Sequence, residues 1–298
     1  EQEYFTRALE GRLRDVSRCL FYTAWLEERP VANVLFSAAA EAPQVGTVGY
    51  VMTAPAARRR GLSRLLLERL LADFRAAGGL CALLSTGNPV ARAIYAGQGF
   101  CDYNGHVMRY VAPPAEAATL DEAYFDAPGP TRVRAGHWGD AARVAWLYAR
   151  PAGPFIKDYM EGLYEHPALV HVRCGSILPA MLLNVEERAG GLWLLEAEAG
   201  RVVGAARLAL RDPIAQTKAP ILDFLVAPAF RRQTAELLRV AIEAARAGGA
   251  EVVRVCLASC DGDKADIVQS LGFRLEATLV CQFAAGDDRF DLNTYVLE

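Results

Sequence analysis

Two spacings of apolar residues alternate along the chain, and together they predict an α/β fold. Residues 44–52 contain an apolar run that predicts a strand. Residues 62–76 carry apolar side chains three and four positions apart and lead into a Gly-Gly pair, which predicts a helix and its end. Residues 80–85 predict another strand, and residues 89–96 a short helix. This order of strands and helices is typical of a sheet flanked by helices.

Apolar spacing and turn residues predict further elements toward both ends of the chain. In the first half it adds a helix at 3–14, a hairpin of strands 19–27 and 31–37, and a closing strand at 106–111. In the second half it predicts strands at 132–135, 192–198, 201–210, 220–226 and 252–258, helices at 140–148 and 235–247, and a final hairpin that ends at Glu298.

A repeat of a whole strand–turn–helix segment indicates a duplicated domain. Residues 225–238 match residues 52–65, and Gly272-Phe273 matches Gly99-Phe100 at the same displacement. We therefore predict one domain at 1–112, a proline-punctuated linker at 113–130 and a second domain at 131–298. We expect no counterpart in the first domain to the strand and helix that open the second domain. Such a strand and helix either precede Glu1 or are absent from the protein.

Composition narrows the class of protein. Hydrophobic residues make up 53% of the 298 and charged residues 22%, which are values for a globular protein with a sizeable core. The net charge of −3 argues against a nucleic-acid partner. We find no apolar run of membrane-span length and no signal-peptide pattern. The seven cysteines are odd in number and most lie in apolar runs, so we expect reduced, buried thiols in a cytoplasmic environment. Neither the cysteines nor the four histidines show metal-ligand spacing, so we expect no metal.

The strongest candidate for chemistry is the turn Arg58-Arg59-Arg60-Gly61-Leu62-Ser63, which joins a predicted strand to a predicted helix. N–H groups in the first turn of a helix have no intrahelical acceptor, and the helix dipole adds partial positive charge there. Gly61 lets the backbone approach a phosphate closely because it has no Cβ. The turn lacks the spacing of a P-loop or of a dinucleotide-binding motif. It predicts an anion site of another kind.

These residues resemble the pyrophosphate-binding motif of the GNAT superfamily of acyl-CoA-dependent N-acyltransferases. The motif is Gln/Arg-x-x-Gly-x-Gly/Ala, and here it is Arg58-x-x-Gly61-x-Ser63, with a departure at the last position. A second family motif, an Asn followed by a short helix with a Tyr and then Gly-Phe, matches Asn88, Tyr95 and the Gly99-Phe100 pair. The two motifs stand in the family's order and at its spacing.

The resemblance implies an α/β fold with two GNAT-like domains, each a mixed, mostly antiparallel twisted sheet flanked by helices. It implies acetyl-CoA as the co-substrate and direct attack by an amine in a ternary complex. Tyr95 takes the family's position of general acid toward the leaving thiolate. No base is assigned, although Tyr50, Glu41 and His106 are of suitable types. The implied cofactor-binding residues are Val51, Met52 and Thr53 beside the pantetheine, Arg58, Arg59, Arg60, Gly61, Leu62 and Ser63 beside the pyrophosphate, and Asn88.

The second domain departs from the family at these positions. Thr234 and Glu236 replace the small residues at the phosphate turn, and bulk and like charge there oppose pyrophosphate binding. Asp261 and Val268 stand where Asn88 and Tyr95 stand in the first domain. We expect a degenerate second domain and one acetyl-CoA per chain.

We therefore hypothesise that the protein is an N-acetyltransferase that acts on a small-molecule amine. We expect no nucleic-acid or membrane partner and allow for a homodimer. Two alternatives stay open. One is a non-catalytic acyl-CoA-binding or regulatory module, which the lack of a clear base and the decay of one half favour. The other is a peptide or protein N-acetyltransferase, which needs an open groove for its acceptor.

Overall fold

A computed structural model describes residues 2–151, 153–188, 190–210 and 220–298. Its backbone contacts divide the chain into two compact units, each with one large sheet. None of the described helices combines the length with the apolar character that a membrane crossing requires. The first unit runs up to Asp121 and includes His137–Ala149 and Arg173–Pro179; the second comprises the described parts of Glu122–Gly136, Arg150–Val172 and Ala180–Glu298.

The first unit is built on a six-stranded sheet. Its elements are α1 (Gln2–Leu9), β1 (Ser17–Leu26), β2 (Arg29–Ala39), β3 (Val45–Thr53), α2 (Leu62–Ala76), β4 (Cys81–Ser85), α3 (Pro89–Ala96), β5 (Cys101–Asn104), β6 (Val107–Val111) and α4 (Ala141–Ala149). The strand order is β1-β2-β3-β4-β6-β5, and every pair is antiparallel except the parallel pair β3 and β4. This mixed sheet flanked by helices confirms the predicted fold class.

Helices cover both faces of this sheet, because residues along β2 alternate between two cores. Val34 and Phe36 pack in one core with buried side chains of α2, among them Phe74. Leu35, between them, packs in another core with Tyr4 of α1. Alternate residues of a strand point to opposite faces, so α2 and α1 lie on opposite faces of the sheet.

The centre of the sheet is split where β3 and β4 stop pairing. The two strands pair only from Val45–Cys81 to Thr47–Leu83, although β3 continues to Thr53. On its other side β3 shifts register against β2 near Tyr50, whose φ is +50°. We call the space beside the unpaired part of β3 the β3–β4 gap.

The second unit has a seven-stranded sheet and a separate three-stranded sheet. Its elements, with α5 crossing the division between the units, are β7 (Thr131–Ala135), β8 (Ile156–Asp158), β9 (Leu163–His166), β10 (Leu169–His171), α5 (Ile177–Arg188), β11 (Gly191–Ala197), β12 (Arg201–Ala209), β13 (Ile221–Val226), α6 (Thr234–Ala247), β14 (Val253–Ala258), α7 (Gly262–Ser270), β15 (Arg274–Ala285) and β16 (Asp288–Leu297). The large sheet has the order β15-β16-β14-β13-β12-β11-β7, and the small one β10-β9-β8. β13 and β14 are the parallel pair, joined at Ile221–Arg254.

A segment of the second unit covers the junction of β13 and β14. Phe155 and Ile156 pack in one core with Ile221 of β13 and with buried residues of β14. The buried Asp261 carboxylate, just after β14, accepts hydrogen bonds from the backbone N–H groups of Phe155 at 2.5 Å and Ile156 at 3.0 Å. The segment is therefore attached to the sheet through its backbone.

A buried ion pair holds the same segment from the other side. Lys264 Nζ donates to the Ile156 carbonyl at 3.1 Å and lies 3.3 Å from the Asp223 carboxylate on β13. That carboxylate also accepts a hydrogen bond from the Tyr159 N–H. Chain atoms thus pack, in the second unit, beside the point where β13 and β14 pair.

The contacts differ from the predicted domain ranges in two places. α4 packs against β2, β3 and β4 of the first unit, whereas the sequence placed this helix in the second domain. The predicted linker 113–130 contains a π-helical turn, Glu122–Asp126, whose Tyr124 and Phe125 are buried, so that part is packed. The short strands β5 and β8–β10 and the helices α5 and α7 were not predicted.

We expect Asp261→Ala to destabilise the second unit, because it leaves two buried N–H groups without an acceptor. The loss in free energy of unfolding should be about 2–4 kcal/mol, measured by urea denaturation. Asp263→Ala is the control, since that exposed residue makes only a surface ion pair with Arg231. Equal stability of the two variants would contradict this account of the segment.

Candidate active site

The β3–β4 gap opens on the α2 face into a cleft of about 1470 Å³, which we call the α2–α3 cleft. It is lined by the end of β3, the turn before α2, the first residues of α2, and α3. Every site residue that the sequence predicted lines it except Arg60: Val51, Met52, Thr53, Arg58, Arg59, Gly61, Leu62, Ser63, Asn88 and Tyr95. The roles of these residues stay predictions, but the structure brings them together.

The turn before α2 leaves unsatisfied donors facing this cleft. Gly61 is the residue before the helix, with φ +76°, and no side chain caps the helix start. The N–H groups of the first helical turn therefore lack both an intrahelical acceptor and a cap. A Cβ at Gly61 would meet no atom within 4 Å, so the backbone is open to a ligand there. The exposed guanidinium groups of Arg58 and Arg59 add positive charge. This turn is suited to an anion.

Ser63, the departure from the family motif, has a structural partner. Its hydroxyl lies 2.9 Å from the Thr53 hydroxyl at the end of β3. The contact ties the first turn of α2 to β3. Ser63 is thereby occupied within the protein, while its backbone N–H remains one of the helix-start donors.

The unpaired edge of β3 offers backbone groups to the cleft. Residues 51–53 have no partner on β4, so their groups on that side are open to an added strand. The Asn33 side chain donates to the Tyr50 carbonyl at 2.8 Å, which replaces a backbone hydrogen bond at the register shift. The irregularity is thus held in place from the β2 side.

Tyr95 and Asn88 reach the cleft from α3. The Asn88 carboxamide oxygen caps the helix, accepting from Val90 N–H at 2.9 Å and Ala91 N–H at 3.4 Å. Asn88 therefore fixes the start of the helix that carries Tyr95. The Tyr95 ring is buried against Phe100, with 6.1 Å between ring centres. Burial raises the pKa of the Tyr95 phenol, so it stays protonated through neutral pH and can donate a proton.

None of the three candidate bases lines the α2–α3 cleft. Glu41 pairs with Arg143 at 2.6 Å, and His106 is exposed in the turn between β5 and β6. The Tyr50 ring packs on Phe5, 4.3 Å between centres, and lines a different cavity. Among the described residues, the lining of the cleft thus includes the Tyr95 phenol but no carboxylate and no imidazole.

A polar cluster beside Glu41 has the ligand types of a metal site. Glu41, His137 and Asp140 place oxygen or nitrogen atoms within 4.8 Å of one another. The guanidinium of Arg143, however, lies 2.6 Å from both carboxylates. Arg143 therefore supplies the positive charge of this cluster, and the role of the cluster is structural.

The second unit shows different contacts at its corresponding turn. Thr234 is fully buried at the start of α6, and its N–H donates to the Arg231 carbonyl. The Arg231 guanidinium lies 2.6 Å from Asp263 and 3.4 Å from Asp266. The Thr234 N–H and the Arg231 guanidinium thus already have partners within the chain.

Comparison with known proteins agrees with this geometry. The family model described as the acetyltransferase (GNAT) family matches residues 1–100 and 156–273. No curated protein sequence matches the chain.

Several solved structures are similar at low identity. An N-acetyltransferase from Staphylococcus aureus Mu50 is 16% identical, with 57% of this chain and 99% of that one covered and a TM-score of 0.47. The structure of yncA from Salmonella typhimurium, solved with its cofactor acetyl-CoA, is 18% identical and has a TM-score of 0.46. The match covers 56% of this chain and 93% of that one. A ribosomal-protein-alanine N-acetyltransferase from Brucella melitensis is 20% identical and has a TM-score of 0.45. That match covers 56% of this chain and 98% of the other. Similarity at this level carries no information on the acceptor.

We expect Gly61→Glu to abolish measurable acetyl-CoA binding while the protein stays folded, because a carboxylate at this turn meets the diphosphate. Gly61→Gln is the matched control, since it shares the size of Glu and the strain of a side chain at φ +76°. It should bind weakly but detectably. Calorimetric titration and circular dichroism measure both properties. Equal affinity of the two variants, or unchanged affinity in Gly61→Glu, would remove the turn from the cofactor site.

Proposed function

The chain belongs to the GNAT acetyltransferase family, with acetyl-CoA as its acyl donor, and from that premise we propose that its first unit acetylates the amine of a small molecule by direct attack in a ternary complex. The observation that carries this proposal is the β3–β4 gap. One cleft there combines an open strand edge, a helix start with unsatisfied donors and a protonated phenol.

Acetyl-CoA fits these features in order along the cleft. The diphosphate is proposed to accept hydrogen bonds from the N–H groups of Leu62, Ser63 and Arg64, assisted by the helix dipole. The pantetheine arm adds to the sheet along Val51–Thr53, through its amide groups. A backbone N–H on the same strand stabilises the negative charge that develops on the thioester oxygen.

Tyr95 is proposed to act on the leaving group. The amine nitrogen bonds to the thioester carbon, the carbon–sulfur bond breaks, and Tyr95 donates its phenolic proton to the sulfur. The proton that the amine loses passes to solvent, and solvent reprotonates the tyrosine. Since burial raises the pKa of Tyr95, the proton is present at neutral pH when the thiolate forms.

The second unit is proposed to be a degenerate copy without a cofactor site. The segment that starts at Phe155 takes the place of a ligand beside β13, and Arg231 is paired with two carboxylates. Glu236 adds a negative charge in the first turn of α6. Each of these features opposes binding of a diphosphate.

A small-molecule acceptor is favoured over a peptide by the size of the space on the other face of the gap. That cavity measures about 290 Å³, below the roughly 300–1,000 Å³ of pockets for drug-sized ligands. Its lining residues Tyr4, Leu35 and Ser37 are buried. An extended peptide needs an open groove instead.

We expect Tyr95→Phe to lower kcat for acetyl transfer by a factor of about 10²–10⁴, with little change in acetyl-CoA affinity. The hydroxyl acts on a thiolate that exists only as the transition state forms, so its loss affects the rate and not ground-state binding. The assay follows free thiol release from acetyl-CoA with a panel of amines.

Tyr110→Phe is the control for this experiment. Its hydroxyl accepts from Arg75 at 2.9 Å in the same core, and the residue does not line the α2–α3 cleft. Wild-type turnover in Tyr95→Phe would make Tyr95 a packing residue. Cofactor binding without thiol release for any amine would favour the non-catalytic alternative.

A further inference from the structure

The β3–β4 gap is reached from the α1 face through a second cavity, which we call the α1 cavity. Its lining residues include Gly49 and Tyr50 of β3 and Ser85 at the end of β4, the two strands that border the gap. Tyr50 directly precedes Val51 of the α2–α3 cleft. The cleft and the cavity therefore border one gap from opposite faces of the sheet.

The described lining of the α1 cavity carries no carboxylate, no ammonium, no guanidinium and no imidazole. Its polar side chains are all hydroxyl groups, from Tyr4, Ser37, Thr47, Tyr50 and Ser85. The remaining lining residues are Leu35, Val48, Gly49, Gly175 and Pro179. Hydroxyl groups can donate and accept hydrogen bonds, but they do not neutralise a full charge.

The hydroxyl groups are part of a buried network. Tyr4 Oη is hydrogen-bonded to Ser37 Oγ, and Ser17 Oγ lies 3.4 Å from Ser37 Oγ and 3.2 Å from the Ala38 carbonyl. Burial raises the pKa of the Tyr4 phenol, so the ring stays neutral at any ordinary pH. The Cys19 thiol lies 3.8 Å from Tyr4 Oη.

Such a lining discriminates against a charged amine. An alkyl ammonium that enters it loses hydration and gains no counter-charge, which is costly. A strongly basic amine with a pKa near that of lysine is also neutral in only about one molecule in 2,500 at pH 7. Neither the cavity nor the cleft presents a base to deprotonate it among the described residues.

From these observations, and resting on the proposed function, we propose that the α1 cavity binds the acceptor and selects a small, weakly basic amine that is already neutral at neutral pH. Aromatic amines and hydrazides are of this class. An apolar body packs against Leu35, and hydroxyl or carbonyl groups of the acceptor bond to the network around Ser37. Its nitrogen then reaches the thioester through the gap without losing a proton beforehand.

The test compares acceptors of similar shape but different basicity in the thiol-release assay. For ethylamine we expect kcat/KM to rise about tenfold for each pH unit from 6 to 9, because only its neutral form enters. For trifluoroethylamine, which is weakly basic, we expect a flat profile over that range. A plateau for ethylamine near pH 7 would reveal a base in the enzyme and overturn the proposal.

A charge variant supplies the second arm. Ser85 is exposed at the end of β4, so Ser85→Asp can place a carboxylate at the cavity without burying it. We expect it to raise the ratio of kcat/KM for benzylamine to that for aniline at least tenfold at pH 7. Ser85→Asn, equal in size, should leave that ratio at the wild-type value.

The outcomes separate this proposal from the proposed function. If benzylamine is the better acceptor in the wild-type protein at pH 7 and Ser85→Asp does not change the ratio, acetyl transfer stands and the selection of a neutral amine is wrong. If acetyl-CoA binds but no amine releases thiol, the proposed function itself fails.

Discussion

The early end of pairing between β3 and β4 is the constraint on which the rest of the first unit depends. Backbone N–H and C=O groups need hydrogen-bond partners, and a central strand without them on one side is costly if no ligand or water arrives. Three residue pairs join β3 to β4. On the β2 side of β3, the Asn33 side chain donates a hydrogen bond to the Tyr50 carbonyl. Helix α2 starts beside the open edge without a cap. The separation of the strands therefore leaves backbone N–H and C=O groups of β3 close to the free N–H groups at the start of α2. A thioester that carries a diphosphate can hydrogen-bond to both sets at once.

In the second unit a segment of the chain packs beside β13 and β14. There the backbone of Phe155 and Ile156 binds the Asp261 carboxylate, and Lys264 neutralises Asp223. A buried carboxylate is stable only with such partners, so these groups are committed to the fold.

Much of the first unit could be predicted from sequence because its signals are local. Helices α2 and α3 have the predicted bounds, since apolar spacing fixes one and the Asn88-Pro89 start fixes the other. The position of α4 could not be predicted in this way, because periodicity reveals a helix but not the sheet that it packs against. No sequence pattern predicted the α1 cavity either, because Tyr4 and Ser37 are far apart in sequence and come into contact only in the folded unit. Short polar strands such as β8 lack any clear alternation.

The stoichiometry of acetyl-CoA binding decides whether the first unit alone holds the donor. Calorimetric titration of the whole chain should give one equivalent, and a crystal structure of the complex should place the diphosphate at the N–H groups that open α2. Two equivalents, or a diphosphate beside Arg231 in the second unit, would contradict a single donor site in the first unit.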